Sequence, residues 1–158
     1  MNLYLKQKVF SWNDKFTVYD ELGRDRYYVE SELFSWSKKL HIYDLAGNEV
    51  AFIQQKLFSF LPRYYVYVGG EEIAEIVKSF NIFRQEYTIN RLGWSVHGNY
   101  FAHEYEITTW EGYPLVGVSK AWFSWGDAYE LRIDPDVDEV TALSVVLVID
   151  ACIEAQRS

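Results

Sequence analysis

The sequence predicts an all-β domain of about twelve short strands, a sandwich or a closed barrel, followed by one C-terminal helix apolar enough to be buried. Three observations predict it. Aromatic residues make up 18% of the 158 residues, and aromatics favour strands. A module of aromatic loop, strand, tight turn and strand recurs along the chain. The last segment then breaks that rhythm with an unbroken apolar run.

The module is visible by eye. VFSWNDKFTVYD (9–20) returns as LFSWSKKLHIYD (33–44) and as LFSFLPRYYVYV (57–68), each copy 24 residues after the last. FNIFRQEYTIN (80–90) and WFSWGDAYELRI (122–133) are weaker copies. The returning strands repeat as well, in DELGRDRYYVESE (20–32), DLAGNEVAFIQQK (44–56) and WEGYPLVGVSK (110–120). Alternation of period two marks one buried face. It points Phe16, Val18, Leu40, Ile42, Tyr64, Val66, Val68, Tyr87, Ile89, Tyr129, Leu131 and Ile133 inward. Val29, Ile53, Ile76, Val116 and Val118 join them from the returning strands. Asp20-x-x-Gly23 and Asp44-x-x-Gly47 suit type I turns closed by a glycine at positive φ, and Gly69-Gly70 suits a two-residue hairpin loop.

After Asp134-Pro135 the pattern changes to DVDEVTALSVVLVIDACIEAQRS. About twenty residues without a turn signal exceed a typical strand, so this is a helix despite its β-branched Val145, Val146, Val148 and Ile149. Acidic residues precede it and Arg157 closes it, and Asp136-x-x-Glu139 resembles a capping box. From Val140 to Ile149 every side is apolar, leaving no solvent face. The β-structure is the only available container.

Composition narrows the function. A net charge of −8 disfavours duplex nucleic acid as partner. A single cysteine, Cys152, rules out an internal disulfide and fits a reducing, cytoplasmic setting. The start of the chain is too polar for a signal peptide, and Val140–Ile149 is half the length of a membrane span. The chain is expected to be one domain over 1–158.

The segments LHIYDLAGNEVAFIQQK (40–56), YVGGEEIAEIVKSF (67–80), WSVHGNYFAHEYEI (94–107), VGVSKAWFSWGDAYELRI (116–133) and ALSVVLVIDACIEA (142–155) resemble the LURP-one-related family, of tubby C-terminal-like fold, in the family's order. The resemblance implies a closed barrel of about twelve mostly antiparallel strands around a buried C-terminal helix. It implies little about activity. Relatives on that fold include phosphoinositide-binding tubby proteins and phospholipid scramblases, an analogy of fold alone.

No residue pattern names a reaction, a cofactor or a metal. His41, His97 and His103 lack the spacing of a zinc or catalytic motif, with His97 preceding an expected Gly98-Asn99 turn. Cys152 reads as a packed, inert thiol. Asp150 and Glu154, one helical turn apart, could hold a cation or share a proton but read as an exposed last turn, Asp150 being nearer the apolar run and so partly buried and bonded to loop amides. The FSW copies, recurring in every module, read as a structural lid of packed aromatics rather than a stacking platform.

One feature goes further. Two-strand modules return equivalent positions to the same end of the barrel. The end bearing the FSW loops then receives Lys8, Lys15, Lys38, Lys39, Lys56, Arg63, Lys78, Arg84 and Lys120, nine of the 15 basic residues. The opposite end receives Asp20, Glu21, Asp25, Asp44, Glu49, Glu71, Glu72 and Glu111, a separation made imperfect by Asp14, Glu32 and Asp127 at the basic end and Arg24, Arg26 and Arg91 at the acidic one. Strand-end lysines also serve simply to prevent edge aggregation. The functional reading is a non-enzymatic binding or scaffold domain, with Lys15, Lys38, Lys39, Lys56 and Arg63 meeting anionic phospholipid head groups or a protein partner. The alternative is a small-molecule barrel or an enzyme with a pocket between helix and wall.

Overall fold

In the computed structural model the described residues are 1–6, 15–32, 36–79, 86–99, 102–123 and 126–157. Twelve strands run in chain order: β1 (Asn2–Lys6), β2 (Phe16–Tyr19), β3 (Asp25–Ser31), β4 (Lys39–Tyr43), β5 (Glu49–Gln55), β6 (Arg63–Val68), β7 (Glu71–Ser79), β8 (Glu86–Asn90), β9 (Trp94–Asn99), β10 (Glu104–Thr109), β11 (Pro114–Phe123) and β12 (Gly126–Ile133). A single helix, α1 (Glu139–Arg157), follows. Each strand pairs antiparallel with its sequence neighbours. β1 also pairs with β12, from Asn2↔Arg132 to Lys6↔Ala128, and closes the sheet into a barrel. Full closure removes the exposed edges that an open sheet of this aromatic content would present.

The inward residues expected from alternation are buried, apart from Val68, which is partly buried against the same core. Strand β1 adds Leu3 and Leu5 to that core. Their alternation is legible in NLYLK, but the strand is too short to stand out without its partner.

The turns follow their residue chemistry. The Gly23 and Gly47 amides donate to the Asp20 and Asp44 carbonyls at 3.0 and 3.1 Å, both glycines having positive φ. Each aspartate side chain also accepts backbone amides, Leu22 and Arg24 for Asp20, Ala46 and Asn48 for Asp44. Gly69 and Gly70, at φ 59° and 85°, join Val68 to its partner Glu71, as a two-residue loop requires. The expected Gly98-Asn99 turn is instead the end of β9, paired with Tyr105 and Glu104. Gly98 is needed for close approach: at φ 127° a Cβ would meet the Glu104 carbonyl oxygen at 2.6 Å.

The helix enters from the turn end of β12 and runs toward the FSW end. Its cap differs from the expected box. Asp138, not Asp136, accepts from the Thr141 amide at 2.8 Å and the Thr141 hydroxyl at 2.7 Å. The Asp136 amide is tied to Asp134 in the preceding turn, and Glu139 pairs with Arg26 at 3.1 Å. One residue separates the two aspartates, and only Asp138 stands three before an amide that the first turn leaves open. From Thr141 to Ile153 every helix residue is buried. The apolar-all-round segment thus fills the barrel as the sequence demanded.

Candidate functional site at the FSW end

Strands β2, β4, β6, β8, β10 and β12 all lead away from the FSW end. Their first buried inward side chains are Phe16, Leu40, Tyr64, Tyr87, Tyr105 and Tyr129. Alternation therefore sends Lys15, Lys39 and Arg63 to the outer wall. There each meets a carboxylate from a neighbouring strand or its end. Lys15 lies 3.3 Å from Glu30, Lys39 3.7 Å from Glu32, and Arg63 2.6 Å from Glu75. His41 lies in the same strip between Glu49 at 2.9 Å and Glu32 at 3.5 Å. The rim is less positive than a count of strand-end lysines implies, because outward positions of β3 and β7 supply compensating charge.

The other predicted residues behave differently. Lys56 follows β5 and is exposed, as is Lys120 on β11. Among the described residues neither has an ion-pair partner. Lys38 has the inward parity of Leu40 and is half-buried. Lys8 and Arg84 lie outside the described residues.

The aromatic loops do not pack as a lid where they are described. Trp36, Phe58, Phe60 and Trp122 are 94%, 102%, 99% and 84% exposed. Phe58 also has a φ of 56°, a left-handed conformation that costs a bulky residue energy and concentrates at functional positions. The packing expected of these rings fails because the helix and the inward tyrosines already fill the mouth. The copies at 9–12, 33–35, 80–83 and 124–125 lie outside the described residues, apart from Trp36 and Trp122 beside them.

Inside the mouth the lining turns polar. Asp150 is buried, contrary to the exposed last turn expected, with its Oδ1 3.3 Å from Nδ1 of the buried His103. The His103 ring stacks on Tyr129 with centroids 4.3 Å apart, and its backbone is left-handed at φ 53°. Burial, with the Asp150 charge beside it, pushes the Tyr105 hydroxyl well above its ordinary pKa. Positions 150 and 152 lie on nearly opposite helix faces, 200° apart at 100° per residue. Burial pushes the Cys152 thiol up to about 12, against the pull of Lys78 and Lys38 and with a further push from the Asp150 charge. The thiol is held protonated there, as the inert reading requires.

Lys78 is the residue that a linear reading places wrongly. Counted with the rim, it instead continues the inward series Ala74, Ile76, Lys78 and is 4% exposed. It stands opposite Tyr87 across the β7–β8 ladder. The signal was present in that alternation. The His103–Asp150 contact carried no sequence signal, because it joins a loop to a helix 47 positions away.

No group of three ligating side chains suited to a metal occurs among the described residues. Open grooves of about 480, 410 and 430 Å³ lie against the outer wall, the first along His41, Glu49, Phe52 and Tyr67. None of these separates helix from wall. Among the described residues, no helix is long and apolar enough to cross a membrane.

Comparison with known proteins agrees with this architecture. The chain is 34% identical over 150 residues to protein YxjI of Bacillus subtilis (strain 168), covering 95% of this chain and 92% of that one. It is similar to the X-ray structure of a protein from Arabidopsis thaliana, with a TM-score of 0.70, 15% identity, and coverage of 96% and 90%. The family model for LURP-one-related proteins matches residues 1–150. With that match and twelve closed strands around one helix, the chain belongs to the LURP-one-related family.

Proposed function

We propose that this protein is a non-enzymatic docking domain that seats its FSW end on an anionic phospholipid surface. The observation that carries this reading is the exposure of Trp36, Phe58, Phe60 and Trp122 at the same end as Lys56 and Lys120. Aromatic rings settle at the depth of lipid head groups, and lysines near an anionic leaflet contribute about 1 kcal/mol each. The net charge of −8 does not oppose this contact strongly. The carboxylates of the turn end point away, and exposed charges are screened beyond about 8 Å at physiological salt.

Flotation with phosphatidylserine vesicles tests the reading. Wild type is expected to float in a salt-sensitive manner and to remain behind with phosphatidylcholine alone. Phe58→Ser/Phe60→Ser and Lys56→Glu/Lys120→Glu are each expected to lose most binding, with little change in stability because these side chains lie in water. Failure of wild type to float at any salt concentration would reject it. A protein partner or a second copy at the same rings is the second reading, favoured by the size of the exposed aromatic set. Light scattering showing a dimer that Phe58→Ser/Phe60→Ser dissolves would favour self-association. The interior-ligand reading is disfavoured by the burial of Thr141–Ile153 against the wall.

A further inference from the structure

We propose that the outer-wall groove of about 480 Å³ beside the Gly69-Gly70 turn binds a methylated ammonium group, with Phe52 and Tyr67 as its aromatic wall and Glu49 as its counter-charge. The groove opens at the turn end, away from the FSW loops, and the proposal stands independently of the docking reading.

Three observations carry it. The first is a row of rings. His41, Phe52 and Tyr67 are direct cross-strand neighbours on β4, β5 and β6. Their centroids lie 4.9 and 5.9 Å apart, and Tyr43 extends the row at 6.2 Å from His41. All four are half-buried, so each ring keeps some contact with solvent.

The second is charge. The Glu49 carboxylate stands 2.9 Å from His41 Nδ1 and is 43% exposed, so one imidazole separates it from the Phe52 ring. Glu71, next to Gly70, is exposed and forms no ion pair among the described residues. The nearby cations are engaged elsewhere, Lys39 with Glu32 at 3.7 Å and Arg91 with Glu72 at 2.7 Å. Among the described residues no lysine or arginine lines the groove. Burial, and then the charges of Glu49, Glu30 and Glu32, push the Tyr43 hydroxyl above its ordinary pKa, which accords with an acidic wall.

The third is space. Gly69 and Gly70 carry no side chain, and a Cβ at either would meet nothing within 4 Å. The groove therefore stays open alongside Tyr67, and its volume falls within the range of about 300–1,000 Å³ usual for small ligands.

These features select a cation with an apolar surface. Aromatic faces attract a cation held within about 6 Å of the ring centroid, and the carboxylate adds attraction of the same sign. A methylated ammonium asks for no hydrogen-bond acceptor, and its methyl groups pack on the rings as a hydrocarbon would. An anion would be repelled by Glu49 and Glu71.

The simpler account is that cross-strand ring pairs stabilise the sheet. Pairing explains why the rings touch but not why they gather in this sector. Across β10, β11, β12 and β1 the row Glu106, Gly117, Arg132 and Asn2 carries no ring, and the same closed wall forms there without one. Nor does pairing account for a carboxylate beside the rings with no lysine or arginine among them.

The test is a proton NMR titration of choline into the full chain, with 3,3-dimethylbutan-1-ol as the neutral analogue of the same shape. Choline is expected to bind saturably, with its methyl signal moved upfield by the ring faces, and the neutral analogue to bind at least fivefold more weakly. Glu49→Gln and Phe52→Leu are each expected to weaken choline by about fivefold or more. Should Phe52→Leu fail to fold, Tyr67→Leu takes its place. A peptide carrying trimethyl-lysine, set against the same peptide with lysine, separates the sources. Binding of free choline as tight as that of the peptide assigns the groove to a small molecule, and binding of the methylated peptide alone assigns it to a protein side chain. Equal binding of choline and its neutral analogue overturns the proposal. So does full binding in either groove variant, or no saturable binding of choline and methylated peptide alike.

Discussion

The two halves of the barrel interior are built on different chemistry. Toward the turn end the helix presents Ala142, Leu143, Val145, Val146 and Leu147 to a wall of Ile42, Ala51, Val66, Ala74, Ile107, Val116 and Ile133, all buried. Toward the FSW end the same helix presents Asp150 and Cys152 to Tyr64, Lys78, Tyr87, His103, Tyr105 and Tyr129. The aliphatic half is driven by burial alone and needs no directional match. The polar half contributes stability only where each group meets a partner. One half holds the container shut; the other tolerates polar groups next to the end where exposed rings gather.

Breaking the polar half should produce the largest change. Asp150→Ala removes one member of a buried pair and is expected to cost about 3–5 kcal/mol, measured by urea unfolding. Replacing both members, as Asp150→Leu with His103→Phe, should recover most of that loss. If the double variant is no better than the single one, the pair has a role in the mouth beyond mutual compensation.

In the aliphatic half, Leu143→Ala should cost about 2–5 kcal/mol, the range for cavities in close-packed cores. No second-site charge change should rescue it, since the loss is one of contact and volume. A loss well under 1 kcal/mol would mean that the turn-end core is loosely packed and that the contrast between halves is weaker than the burial pattern indicates.

The smallest effect belongs to pH. The unfolded Cys152 thiol ionises near 9.0, while burial holds the folded one up to about 12. Between those values the unfolded chain releases a proton that the folded chain keeps, so the folded state loses ground. The contribution is fully present below pH 9 and is lost as pH rises toward about 12. Relative to Cys152→Ala, wild type should lose on the order of 1 kcal/mol by about pH 10. Thermal melts of both proteins across that range check the sign. A thiol reagent should leave native Cys152 unmodified at neutral pH and label it on unfolding.

Much of this contrast could be read from the chain before any coordinates. Positions 16, 40 and 64 recur at the module spacing as Phe, Leu and Tyr, and alternation alone turns them inward. The same rule applied to Ala74, Ile76 and Lys78 would have removed Lys78 from the rim. The partners of Lys15, Lys39 and Arg63 were less accessible. Glu30, Glu32 and Glu75 are assigned to them by cross-strand register, and register shifts by one residue at irregular steps such as Val66/Tyr67. The cap was misread by two positions because Asp134, Asp136 and Asp138 are chemically equal in sequence. Only the chain's exit angle from the last strand decides which of them meets the first free amides.

What the sequence determined by itself was therefore periodic and local: the strands, their inward faces, the glycine turns and a helix with no face for water. These follow from side-chain alternation and backbone sterics, which act over a few residues. What the tertiary structure decided was pairwise and distant: Asp150 beside His103, the carboxylates that neutralise three of the rim cations, and the rings left in water once the helix had filled the mouth. Those depend on which side chains meet when the barrel closes, and closure sets strand against strand in a register that no short stretch of sequence contains.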